Sequence, residues 1–128
     1  DENHLELASE NGKEIISLPI GELLFIQSTD NYSNVVKLEK DNIKKTLLRS
    51  SLKKLEVQIQ TPYIIRCHRS FIVNLAKVKS INGNARGYKL FLENVANPIP
   101  VARDAGSRVL NILTELAGES ALYSRRSA

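Results

Sequence analysis

One cysteine, Cys67, stands in 128 residues. That excludes an internal disulfide and any zinc site built from cysteines. Histidine is as scarce: His4 and His68 are far apart and outside any metal-ligand spacing. There is no long apolar run and no amino-terminal export signal, so the sequence offers no membrane segment. The phosphate-loop, HExxH, GxSxG and calcium-loop patterns are absent. Cys67 and His68 are adjacent, and neighbours on a strand point apart, so they do not make a nucleophile and base. Cys67 is expected to be a small core residue. No enzyme activity and no cofactor are expected. Aromatics are few, with three Phe, four Tyr and no Trp. Phe25 and Phe71 lie in apolar runs, and no RNP-like stretch surrounds Tyr32 or Phe91. Strand-based readers of unpaired RNA stack bases on exposed aromatics. Their scarcity turns the choice among DNA module, RNA module and protein-interaction domain toward duplex DNA.

What is present suits one domain with a modest core, at 42% apolar residues. The charge is uneven. Residues 1–34 hold one base, Lys13, against seven acids, a net of −6. The remaining 17 bases and 7 acids net +10, and the whole chain carries +4. A basic region on a small domain is a plausible polyanion footprint, although many basic proteins bind nothing. A single free cysteine fits a reducing compartment, and a cytoplasmic location is expected. Because the first residue is Asp1, the chain is expected to be a piece of a longer protein.

Alternation and turn residues predict an all-β domain with short helices over residues 1–119, followed by a flexible tail over 120–128. His4 to Ala8 and Lys13 to Leu18 read as a hairpin, with Asn11-Gly12 as a tight turn. Leu23 to Gln27 is nearly all apolar and reads as a buried strand. Ser28 to Asn34 is polar and reads as a loop or ragged strand edge. Its small donors and acceptors suit phosphates or base edges, but Asp and Asn also cap their own turns. Val35 to Glu39 and Ile43 to Leu48 form the next hairpin. Ser50 or Ser51 can cap a short helix whose stripe is Leu52, Leu55 and Ile59, stopped by Pro62. Leu75 to Ile81 and Tyr88 to Leu92 read as strands around a loop with two glycines. Ile99 to Val101, between prolines, reads as an edge segment. Asp104 is the expected cap of a closing helix with Val109, Ile112, Leu113 and Leu116 buried and Gly118 at its end.

The organising stretch is Ile64-Ile65-Arg66-Cys67-His68-Arg69-Ser70-Phe71-Ile72-Val73-Asn74. Two apolar strands bracket a basic centre. An uninterrupted strand would turn Arg69 to the same face as Ile65 and Cys67. An unpaired guanidinium is costly on an apolar face. The chain is therefore expected to bend near His68 to Ser70 and to push Arg69 outward.

Four stretches, in order, resemble the LytTR DNA-binding domains of bacterial response regulators. They are Leu24 to Tyr32, Arg49 to Leu55, Arg66 to Asn74 and Ile99 to Arg103. The similarity covers roughly residues 5–116. It implies an elongated stack of antiparallel β-sheets with about ten strands, and sequence-specific binding of double-stranded DNA for transcription regulation. Loops from one edge would enter successive major grooves, with the middle facing the minor groove between them. By motif position, the stretch with Asn31, Ser33 and Asn34 supplies one base-reading loop. Arg69 takes a central contact, with Arg66 and His68 beside it as contacts or as organisers of the bend. Arg103 reads a major groove from the closing loop. The resemblance also implies an amino-terminal receiver of a phosphorelay in the full protein, and pairing of chains on direct repeats in promoters. The sequence departs from the family pattern at Ser33, Ala102 and Asp104. The alternative is a signalling or protein-interaction domain of the same fold that lacks specific DNA binding.

Overall fold

Three antiparallel sheets carry the chain in the computed structural model, which describes residues 3–127, with side chains for residues 3–118. Strand β1 (His4–Ala8) pairs with β2 (Ile15–Pro19). The central sheet contains β3 (Leu23–Thr29), β4 (Tyr32–Glu39), β5 (Asn42–Leu48), β6 (Ile64–His68) and β7 (Phe71–Asn74). Its order is β5-β4-β3-β7-β6. The third sheet holds β8 (Val78–Asn84), β9 (Gly87–Leu92) and β10 (Ile99–Val101), with β9 in the middle. Helix α1 (Leu52–Gln58) joins β5 to β6, and α2 (Gly106–Ser127) follows β10. Among the described residues ten strands, all antiparallel, meet the fold expected from the sequence.

The central sheet is covered on both faces. On one, Leu23, Ile26, Val35, Leu48, Ile64 and Ile72 pack with Leu5, Leu7 and Leu18 of the first sheet and with Leu52 and Leu55 of α1. On the other, Leu24, Phe25, Val36, Ile65, Cys67 and Val73 meet the third sheet and Val109 of α2. Such two-sided burial is why Leu23 to Ile26 is apolar without alternation. A bulge between Leu23 and Phe25 breaks the period of two, so Leu24 and Phe25 share a face although they are neighbours. In α2, Ile112, Leu113 and Leu116 pack half-buried beside Val109, which is the expected stripe. Ser51 caps α1 by accepting from the Lys54 amide at 3.2 Å.

Local chemistry differs from expectation at four places. The Asn11-Gly12 turn is a six-residue loop, because β1 ends at Ala8 and β2 starts at Ile15. Asn11 Oδ1 accepts from the Lys13 amide at 2.9 Å and from Ser9 Oγ at 2.8 Å, so a side chain shapes the turn. The strand expected from Leu75 begins at Val78, after a 3-10 turn over Leu75–Lys77. Asn74 starts that turn by accepting from the Ala76 amide at 3.1 Å. The glycine-containing loop is mostly strand, leaving only Ala85 and Arg86 unpaired. Gly83 sits at φ +110, and a Cβ there would meet the Gly87 carbonyl oxygen at 2.3 Å. Finally, α2 continues beyond Gly118 to Ser127. A glycine inside a helix costs about 1 kcal/mol relative to alanine, which does not by itself end one. The side chains of the expected tail, 120–128, lie outside the described residues.

The β4–β5 connection is a two-residue turn with both central residues at positive φ, Lys40 at 50° and Asp41 at 67°. Hairpin turns of this hand favour Asn-Gly, and each L-residue held there costs roughly 1–2 kcal/mol. The double substitution Lys40→Asn and Asp41→Gly is expected to raise unfolding free energy by about 1 kcal/mol in urea titration, part of the relief being offset by the more flexible unfolded chain.

Candidate nucleic-acid interface

Strand register brings separate basic residues to one end of the central sheet. β3 runs out to Thr29 and the chain returns through Tyr32, leaving Asp30 and Asn31 as the turn. β7 starts at Phe71 opposite Gln27 on β3, and the Ser28 amide donates to the Ser70 carbonyl at 3.0 Å. The Arg69-Ser70 turn therefore lies beside the Asp30-Asn31 turn. On the other flank, Leu48 of β5 faces Ser33, so Arg49 leaves the sheet at the same end. The Ala102 amide donates to the Cys67 carbonyl at 2.8 Å and draws the 3-10 turn Arg103–Ala105 to the end of β6. Asn31, Arg49, Arg69 and Arg103 are all exposed there.

The expected bend is a hairpin. β6 ends at His68, β7 starts at Phe71, and a bulge lies between Arg66 and His68. Arg69 is at the tip. Arg66 turns inward: its Nη2 donates to the Arg69 carbonyl at 2.9 Å, and its Nη1 lies 3.8 Å from Glu56 Oε1 of α1. His68 Nδ1 accepts from the Ser70 amide at 3.1 Å, which leaves the proton of a neutral ring on Nε2. Both side chains are half-buried and hold the turn. Of the two roles considered for them, organiser of the bend is the one the hydrogen bonds support.

Ser33 corrects the sequence reading. It is 0% exposed, and its hydroxyl donates to the Ser50 carbonyl at 2.7 Å. Strand parity turns it into the α1 side of the sheet with Val35, away from any surface where it could touch a base. Ser28 and Thr29, expected in a loop, belong to β3. Asn34 is half-buried in a recess with Gln27, Thr29, Tyr32 and Leu47, and Asn31 is exposed. Asp104 corrects a second reading: it lies inside the 3-10 turn, and no side chain caps that turn. Among the described residues no ion pair joins Asp104 to Arg103, and Arg69 has no acidic partner.

Two residues at this end were missed. Arg108, on the first turn of α2, lines a concave surface with Arg66, His68, Arg69, Ala102 and Asp104. Arg49 stands with its guanidinium carbon 5.7 Å from the centroid of the Tyr32 ring. Arg108 has no sequence signal of its own, and Arg49 stood in the sequence only as the start of a family-like helix entry. Each is recognisable only once the strand ends are in register. Cys67, by contrast, is where it was expected, fully buried against Pro100 and Phe71. Burial pushes its thiol up to about 12.

The arrangement is that of a β domain that offers arginines and amides from turns at one sheet end. The chain matches the family described as LytTr DNA-binding domain over residues 13–114 and belongs to it. That family is described as one of DNA-binding domains. An uncharacterized response regulatory protein of Vibrio cholerae is 31% identical over 97 residues, which are 76% of this chain. The chain spans only 37% of that relative's length. A solved LytTr DNA-binding domain, from a Bacillus cereus chain described as a methyl-accepting/DNA response regulator, superposes with a TM-score of 0.62. That superposition covers 86% of this chain and 98% of the other at 24% identity, which shows the shared fold.

Ser33→Ala is expected to cost about 1–2 kcal/mol in a urea melt, since it leaves the buried Ser50 carbonyl without its partner. It is expected to leave every base preference of the domain unchanged in a binding profile. For Cys67 the sign is set by its raised pKa: the folded thiol keeps its proton where the unfolded thiol, at an ordinary 9.0, loses it. This contribution is complete below about pH 9 and is lost as pH rises toward 12. Between pH 8 and pH 10.5 the wild type is expected to lose about 2 kcal/mol more stability than Cys67→Ala, measured by urea titration at both pH values.

Proposed function

We propose that this domain binds double-stranded DNA sequence-specifically and regulates transcription as the output part of a response regulator. The observation that carries this is the gathering of Asn31, Arg69 and Arg103 at one end of the central sheet, exposed and on separately anchored turns. Neighbouring strands are about 4.8 Å apart, so the β3–β4 and β6–β7 turns, two spacings apart in the sheet, are separated by about 10 Å, on the scale of DNA groove widths of about 6 and 12 Å. Family membership and the +10 balance of residues 35–128 support the same reading.

In this reading Arg103 sends its planar fork to guanine O6 and N7 in a major groove. Asn31, with Asn34 behind it, serves the neighbouring groove from the first turn. Arg69 enters the minor groove between them or clamps its phosphates. Arg66 and His68 contribute by holding Arg69 at the tip. The response-regulator relative is longer than this chain, and in this reading the full protein carries an amino-terminal receiver in the cytoplasm whose phosphorylation pairs two chains on direct repeats. Light scattering of the full protein with and without phosphorylation tests the last point. Identical masses on and off DNA would remove it.

A second reading has two residues in its favour. Ala102 offers no hydroxyl to a phosphate, and Asp104 puts a carboxylate next to Arg103. Both suit a signalling domain of the same fold that has lost specific binding. Selection from a randomised duplex library separates the two. Enrichment of a common sequence supports DNA reading, and no enrichment even at low salt supports the signalling domain.

With a preferred duplex in hand, Arg103→Ala is expected to lose roughly 1–3 kcal/mol of discrimination at one base pair. Arg69→Ala is expected to weaken all sequences alike and to make the salt dependence shallower by about one phosphate contact. Titrations against every single-base variant check both. An unchanged profile for folded Arg103→Ala would refute its assignment.

A further inference from the structure

We propose that Arg49, with its guanidinium over the Tyr32 ring, is a preorganised clamp for one DNA backbone phosphate at the outer flank of the sheet end. This rests on the DNA-binding reading and adds a contact to it. The guanidinium carbon is 5.7 Å from the Tyr32 ring centroid, within reach of a cation–π attraction. Tyr32 is 40% exposed and directly follows the Asp30-Asn31 turn. The ring therefore holds the cation next to a turn already assigned to base reading.

The backbone beneath Arg49 is fixed from three directions. The Glu10 amide donates to the Arg49 carbonyl at 2.9 Å. Ser33 Oγ donates to the Ser50 carbonyl at 2.7 Å. Ser51 caps α1 through the Lys54 amide. A long side chain normally loses rotamer freedom when it binds, and here much of that loss is made before the ligand arrives. The ring takes one side of the guanidinium and leaves N–H groups turned away from it free to donate to two oxygens of one acceptor, such as the two non-bridging oxygens of a phosphodiester. Among the described residues no carboxylate takes that place: the nearby Glu10 lies 3.9 Å from Lys54.

Position selects phosphate over base. The turns at Asp30-Asn31 and Arg69-Ser70 project beyond the sheet. Arg49 does not, because the chain folds back at once through Ser50 and Ser51 into α1. β5 is also the edge strand, farthest in the sheet from β6 and the Arg103 turn. A cation set back on the flank meets the rim of a groove, where the phosphates are, while the projecting turns reach its floor.

Salt-dependent titrations of wild type, Arg49→Ala, Arg49→Lys and Tyr32→Leu test this on the selected duplex and on all its single-base variants, with thermal melts to verify folding. Arg49→Ala is expected to weaken every duplex by about tenfold and to make the slope of log affinity against log salt shallower by about 0.9. Arg49→Lys is expected to keep the slope but lose part of the affinity. Tyr32→Leu is expected to do the same, since the charge remains while its support is gone. Wild-type binding with Arg49→Ala unchanged in affinity and slope overturns the clamp alone. So does a loss confined to one base pair, which would make Arg49 a base reader, or an Arg49→Lys curve identical to wild type. Failure of the wild type to bind any duplex sinks the DNA-binding reading, and the clamp with it.

Discussion

β3 is hydrogen-bonded along both edges and covered on both faces, and the turns that carry Asn31 and Arg69 take their level from that constraint. Its apolar side chains, Leu23 to Ile26, serve two cores at once. A fully buried side chain of this size contributes roughly 1.5–3 kcal/mol, so a shift of register that exposed them would be expensive. A shift by one residue would exchange the faces of the whole strand. The pairings of β4 and β7 with β3 are therefore firmly set, and with them the level at which the two turns leave the sheet. Asn74 adds a polar lock at the opposite end: its Nδ2 donates to the Leu23 carbonyl at 2.9 Å and to the Ile20 carbonyl at 3.2 Å.

The arginines at this end divide by face. Arg66 lies on the α1 side of β6, where it meets Glu56 and reaches the Arg69 carbonyl. Its Nε is buried without a partner, a cost of roughly 1–3 kcal/mol that its other contacts offset. A charge so used is scaffold. Arg69, three residues later, is the tip that the scaffold supports. Arg49, Arg103 and Arg108 come from three further elements and stand on different supports: an aromatic ring, a 3-10 turn and the first turn of a helix. A surface assembled in this way has rigid spacing although no two of its parts are close in sequence.

Residues whose role depends on local pattern were legible. The bend at His68 to Ser70 follows from the cost of an arginine on an apolar face, and a hairpin stands there. Cys67, in the apolar run with Ile65 and Val73 on the same face, is core as they are. The Ser51 cap and the Leu52 and Leu55 stripe are contained in a few adjacent residues. Most strand segments and the two helices could accordingly be read from periodicity, whereas the division of the one expected core into two, the start of β8, the end of β3 and the length of α2 could not.

The facing of side chains at the sheet end was another matter. Ser33 looks like its polar neighbours Asn31 and Asn34, yet register turns its hydroxyl to Ser50. The bulges at Leu24 and Cys67 each reset the alternation, and nothing in the residues themselves announces an extra position in a ladder. Arg49 reads as the start of a helix until β5 is laid against β4 and the Tyr32 ring comes beneath it. Hydrophobic spacing and turn chemistry determined which segments are strands and where the chain reverses, because those are short-range properties. Which polar residues share a surface was decided only by the tertiary structure, because strand pairing joins residues whose separation along the chain carries no information about their separation in space.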